Sequence, residues 1–115
     1  MNPSDIKSMT LSQLRATRKA MFSAQWMLAL ETADPATRTS AAQQMLAVNH
    51  AIVTLENGQL DSIRQQLIAN EADLTASAQT LTNALTDLSK VNSVLTAITG
   101  FLGIIGKIVP LLLPG

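Results

Sequence analysis

Seven leucines stand in strict seven-residue register: Leu60, Leu67, Leu74, Leu81, Leu88, Leu95 and Leu102, with Val109 extending the column. The positions three residues further on are Ile63, Asn70, Ser77, Ala84, Val91, Ile98 and Ile105. Two columns at this spacing occupy the a and d positions of a heptad, the pattern of an apolar helical seam. The second column is the weaker one, because Asn70, Ser77 and Ala84 are small or polar. Such residues cost stability in a seam but fix its register and partner number. Between Pro35 and Pro110 no proline interrupts the chain. A third stripe, Met45, Val48, Ile52 and Leu55, precedes the leucines.

These patterns predict an all-α chain: a helical hairpin leading into a long coiled-coil-like helix, followed by a hydrophobic C-terminal helical tail. A polar segment occupies residues 1–9. The first helix is expected over 10–32, where Thr10 and Gln13 make a capping box. The turn is expected at 33–34, with Asp34 as N-cap and Pro35 at the first position of the next helix. Asn57-Gly58 is the one candidate break in the helix that starts at Pro35. It would open a hairpin, but the leucine column restarts at Leu60 and leaves little room for a loop. One long helix, bent at Gly58, is the favoured reading. From Pro35 to Thr99 it would run about 97 Å at 1.5 Å per residue. Helix one would cover only its first third, so the seam beyond would need a partner. The oligomerisation seam is accordingly assigned to Leu60, Ile63, Leu67, Leu74, Leu81, Leu88, Val91, Leu95, Ile98 and Leu102.

Charge is distributed as unevenly as leucine. Eight basic and eight acidic residues balance in a chain of 115, and fifteen of the sixteen lie in residues 1–90. Lys107 is the only charge from residue 91 to 115. The helical body therefore spans 10–90 and a hydrophobic segment spans 91–115. With no basic surplus, nucleic acid is not an expected partner. With 47% hydrophobic residues the composition is not that of a disordered chain. The absence of cysteine excludes disulfides, thiolate metal sites and a cysteine nucleophile.

Residues 94–113 have about the length that crosses a bilayer core. Phe101, Ile104, Ile105, Ile108, Val109, Leu111, Leu112 and Leu113 are the membrane or buried-tail candidates. Gly100, Gly103 and Gly106, with Thr96, Thr99 and Lys107, fall on one side of this helix as a close-packing stripe. Pro110 is expected to end or kink it. Residues 101–112, Phe-Leu-Gly-Ile-Ile-Gly-Lys-Ile-Val-Pro-Leu-Leu, resemble the temporin-type antimicrobial peptides of amphibians. That resemblance implies that an exposed tail would partition into lipid.

Catalytic chemistry has little to stand on. His50 is the lone histidine and has no carboxylate nearby in sequence. Glu71 and Asp73 are two residues apart and so point to different helix faces. There is no glycine-rich phosphate loop, nucleophile elbow or metal-ligand cluster. Arg15, Arg18 and Lys19 make a small basic patch whose default is a solvated face. The chain is expected not to be an enzyme and to take no cofactor, metal or small-molecule substrate. Its N-terminus does not read as a secretory signal peptide. The expected partners are its own copies or a helical protein, with a lipid membrane as a further candidate.

The first functional expectation is a non-enzymatic, self-assembling helical protein. Its C-terminal apolar helix would insert into or associate with membranes, as in a pore-forming or permeabilising component. The alternative is a soluble structural subunit of a helical filament, phage or secretion assembly, its tail buried between subunits. A weaker third is an adaptor-like or chaperone-like helical binding module.

Overall fold

A computed structural model describes residues 1–110. They form six helices: α1 (Pro3–Met21), α2 (Ala24–Glu31), α3 (Pro35–Asn57), α4 (Leu60–Ala69), α5 (Glu71–Ala84) and α6 (Val91–Ile105). The chain is all-α, and no strand occurs among the described residues.

Local chemistry sets the helix starts. Asn2 caps α1 by accepting the Asp5 N–H at 2.9 Å, with Pro3 at the first position. Asp34 and Pro35 repeat this arrangement at α3, where Asp34 accepts the Thr37 N–H at 2.7 Å. That bond, followed by one from the Thr37 hydroxyl, holds the Asp34 carboxyl below its ordinary value. Ser23 caps α2 through the Trp26 N–H. The first helix thus begins well before the expected Thr10. Residues 3–9 are helical and Ile6 is fully buried. Thr10 sits inside the helix and donates its hydroxyl to the Ile6 carbonyl at 2.8 Å. The Asn2-Pro3 pair carries the same start signal as Asp34-Pro35, which is why it prevails over the capping box.

The single long helix from Pro35 is replaced by four helices. α3 ends at Asn57, and Gly58 is extended (φ −66, ψ 125). Its carbonyl accepts the Lys7 ammonium at 2.9 Å, so the break is satisfied by α1. At Asn70 (φ −107, ψ 9) the side chain donates to the Gln66 carbonyl at 2.8 Å and bends the chain between α4 and α5. Between α5 and α6 the chain turns through residues 85–90, where Asp87 accepts both the N–H and the hydroxyl of Ser89. The Ser89 hydroxyl, then its N–H, lowers the pKa of Asp87. At each of the three breaks a side chain takes up one backbone group: Lys7 the Gly58 carbonyl, Asn70 the Gln66 carbonyl and Asp87 the Ser89 N–H.

The result is a globule with a radius of gyration of 13.9 Å and extents of 44 × 24 × 19 Å. A compact chain of this length is expected near 13 Å. Four helices form its body. α1 packs on α3 and α5, and α6 packs on the same two from the opposite corner. α1 and α3 run antiparallel, tied by the Lys7 bond to Gly58 and by Arg15–Glu56 at 3.0 Å. α1 and α5 run parallel, tied by Thr82 to Gln13 at 2.9 Å and by the N-terminal ammonium to Glu71 at 3.7 Å. α3 and α6 run parallel, tied by Gln44 to Thr99 at 2.6 Å. The short helices join these: α2 packs on α1 and α6, and α4 packs on α1 and α5.

The leucine columns fill this interior. Leu67, Leu74, Leu81, Leu95 and Leu102 are buried, together with Ile63, Leu88, Val91 and Ile98, and Leu60 is half-buried against them. The residues expected to join different chains therefore join different helices of one chain. The argument that the seam must find a partner depended on a straight rod. Once the chain folds back at Gly58 and at 85–90, α1, α3 and α6 cover the seam. Ala41, Ala47 and Ala51 on α3 keep the helices close together. The buried hydroxyl of Thr17, like that of Thr10, is satisfied by the carbonyl one turn back.

Truncating Leu74, fully buried, to alanine should cost about 2–5 kcal/mol in urea unfolding. Leu46→Ala, at a side chain 71% exposed, should stay within about 0.5 kcal/mol of the parent. Equal losses at the two sites would refute this assignment of the core.

Candidate interaction face

The charged residues divide the surface. Residues 39–55 of α3, 74–86 around α5 and 91–106 of α6 contain no Asp, Glu, Lys or Arg. α1 carries Asp5, Lys7, Arg15, Arg18 and Lys19, and α4 carries Asp61 and Arg64. Charge is therefore denser on α1 and α4, whereas α6 carries none and its neighbours α3 and α5 carry theirs only near their ends, at Arg38, Glu56, Glu71 and Asp73.

α6 itself is two-faced. Val91, Val94, Leu95, Ala97, Ile98, Phe101, Leu102 and Ile105 point into the core. Asn92, Thr96, Thr99, Gly100 and Gly106 are exposed and Gly103 is half-buried, so the outward ridge consists of small side chains. A methyl group added at Gly103 would meet no atom within 4 Å, and one at Gly100 would meet only the Ser77 hydroxyl at 4.0 Å. The stripe of glycines does not bring helices together inside the monomer. It faces outward.

Shallow grooves flank this ridge. One of about 720 Å³ lies between α5 and α6, lined by Ala76, Ser77, Thr80, Ala84, Ala97 and Gly100 among others. The other, about 730 Å³, lies between α3 and α6, with Thr37, Ser40, Gln44, Asn92, Thr96 and Thr99 on its walls. Gln44 is the notable wall residue. It is 5% exposed, and its Nε2 donates to the Thr99 hydroxyl, which donates in turn to the Leu95 carbonyl at 2.9 Å. The Gln44 Oε1 is buried and accepts no hydrogen bond. A buried acceptor without a donor costs about 1–3 kcal/mol.

The tail candidates separate accordingly. Phe101, Ile105, Ile108 and Val109 are buried in the chain's own core and Ile104 is half-buried. Leu111, Leu112 and Leu113 lie outside the described residues. α6 has 15 residues, and among the described residues no helix is long and apolar enough to cross a membrane.

The polar candidates stay apart. His50 is exposed on α3 and lies 3.4 Å from the Thr54 hydroxyl. Arg15 is drawn to Glu56, which leaves Arg18 and Lys19 as the remaining members of the basic patch. Glu71 faces the N-terminus, while Asp73 borders the α5–α6 groove. No group of acidic or histidine side chains among the described residues could hold a metal ion. Sequence reasoning missed Gln44. Its only signal was a polar residue on the buried stripe of α3, between Ala41 and Val48.

No protein-family description, curated protein or solved structure matches this chain.

Gly103→Ala should stabilise the protein by about 0.5–1 kcal/mol, because alanine restores helix propensity where nothing obstructs it. A lowered melting temperature would mean that the position is packed against something within the monomer.

Proposed function

We propose that this protein is a non-enzymatic helical assembly module that binds another helical surface through the uncharged side centred on α6. The observation that carries the reading is the outward ridge of Thr96, Gly100 and Gly103 between two grooves whose walls are mostly small side chains, with Asp73 at the edge of one and Asp34 at the edge of the other. Solvated helices usually carry charges on their outer faces. Here α6 has none, and on α3 and α5 the charges stand only near the helix ends, at Arg38, Glu56, Glu71 and Asp73. Small side chains let another helix approach closely, and threonine and serine hydroxyls offer hydrogen bonds without the desolvation cost of ions.

The apolar face of α6 supports the fold, so assembly through the leucine columns would require the globule to open. Assembly through the outer ridge requires no such opening. This reading is closest to the structural-subunit alternative, with the difference that the contact surface is the polar, small-residue side of the C-terminal helix. A glutamate at Thr96 would place a charge in the middle of the face while leaving the core intact. The parent chain should migrate in native extracts as a species larger than its own 12.2 kDa, and Thr96→Glu should leave that species while remaining folded. Ser12→Glu, exposed on α1, should stay folded and remain in the larger species. Identical migration of the two variants would exclude this face as the contact.

A lipid association of a different kind has one observation in its favour. Phe22, Met27 and Leu28 are more than half exposed around α2, next to Arg18 and Lys19 at the end of α1. Apolar side chains beside cations suit the interface of an anionic bilayer, with no helix spanning it. Flotation with vesicles containing phosphatidylserine should retain the parent chain and lose Phe22→Asp. Retention of Phe22→Asp would dismiss this contact.

A further inference from the structure

We infer that Asn57-Gly58 is a self-modification site: Asn57 loses its side-chain amide through a cyclic imide closed by the Gly58 nitrogen, and the Lys7 bond across the break restrains that reaction. This chemistry is independent of the assembly face described above.

Among the asparagines of the chain only Asn57 precedes a glycine. Ring closure brings the backbone nitrogen of the following residue onto the side-chain carbonyl carbon, and a Cβ on that residue crowds the approach. Gly58 has none. Asn57 is exposed, so water reaches both its amide and the ring that replaces it.

Position in the fold decides how readily the ring closes. Asn57 must leave helical backbone geometry for its side chain to turn toward the Gly58 nitrogen. Inside a helix the hydrogen bonds of the surrounding turns oppose that rotation. Asn57 is the last residue of α3, and Gly58 already lies outside the helix at φ −66, ψ 125. The Gly58 N–H donates to the Leu55 carbonyl at 3.2 Å, a bond of the final turn. Helix ends open locally at far lower cost than the whole fold. The restraint on this end is tertiary. Lys7 of α1 donates from its ammonium to the Gly58 carbonyl at 2.9 Å, across 51 residues of sequence. Breaking that bond frees the peptide that has to rotate.

The step needs only water. Hydroxide takes the Gly58 amide proton, and the nitrogen lone pair attacks Cγ of Asn57. The new C–N bond forms, the bond from Cγ to Nδ2 breaks, and that nitrogen takes a proton from water and leaves as ammonia. Water then opens the ring, with no change of oxidation state. Cleavage at Cγ gives an ordinary aspartate at position 57. Cleavage at the backbone carbonyl carbon gives an isoaspartyl linkage, in which the chain runs through Cγ and is one carbon longer. Both products add a negative charge at the C-terminal end of α3, where the helix dipole and the neighbouring Glu56 oppose it. The longer linkage also displaces the Gly58 carbonyl from Lys7 and shifts the start of α4, whose buried Ile63 packs beside Gly58. Modification therefore loosens the first fold-back of the chain.

The full chain, incubated at mildly alkaline pH and followed by peptide mapping with mass spectrometry, tests this. Conversion of amide to acid should accumulate at Asn57 several-fold faster than at Asn83 or Asn92, which are also exposed. Gly58→Ala should nearly abolish it, and the added methyl meets its neighbours at ordinary contact distances of 3.4 and 3.5 Å, so the fold is kept. Lys7→Met removes the donor but keeps an unbranched side chain. It should speed conversion at Asn57 several-fold and leave Asn83 and Asn92 at their parent rates. Conversion at Asn57 no faster than at Asn92 in the parent overturns the site. An unchanged rate in Lys7→Met, or equal acceleration at all three asparagines, overturns the restraint by Lys7. Protein carrying the isoaspartyl linkage, separated by ion exchange, should melt below Asn57→Asp, which has the charge without the extra backbone carbon. Equal melting of those two overturns the loosening of the fold-back.

Discussion

α6 is the most apolar helix of the chain, and covering its inner face is the constraint from which the rest follows. Eight of its fifteen residues are buried, including Phe101, Leu102 and Ile105. Burying a side chain of this size is worth roughly 1.5–3 kcal/mol relative to leaving it in water. The chain has few large aromatic residues with which to build an alternative core. α3 and α5 flank α6 for this reason, and α1 closes the opposite side with Ile6, Leu14 and Met21. α2 contributes Trp26, fully buried, beside the start of α6.

Covering one face of α6 so completely gives its other face a separate identity. A helix with polar residues outside normally advertises charge to water. This one presents threonine, asparagine and glycine, and its neighbours continue the pattern with serine, threonine and alanine. The two faces have different physical roles: the inner one drives folding through apolar burial, and the outer one has the dimensions and neutrality for contact between helices. The orphaned acceptor of Gln44 lies at the boundary between them. Its amide is tied to the fold through Thr99, and the Oε1 itself is closed off from solvent.

The heptad columns mark apolar helix faces and leave open which helix covers them. Seven-residue spacing specifies two turns of helix with one apolar stripe. It does not specify whether the opposing helix belongs to the same chain. The breaks that bring the helices back are inconspicuous: Gly58 with Gln59, the single residue Asn70, and a six-residue turn within which Asp87 accepts from Ser89. None of them disturbs the leucine register, because one residue separates α4 from α5 and α6 restarts in phase at Val91, with Leu88 in the turn before it. Continuity of register thus concealed discontinuity of the backbone. The early start of α1 was concealed differently, by a polar composition that did not outweigh the Asn2-Pro3 cap.

By itself, the sequence determined the helical class, the Asp34-Pro35 start, the buried identity of the leucine columns and the side of α6 on which the small residues lie. Those features follow from periodicity, capping and propensity, which act within a turn or two of the chain. Tertiary structure decided which surfaces meet. It placed the leucines inside one molecule, turned the glycine stripe outward and set Gln44 against Thr99 across 55 residues. Folding back at Gly58 depends on a hydrogen-bond partner on another helix, Lys7, and on the apolar surface that the returning helices cover. That is a property of the packed molecule and of no local segment.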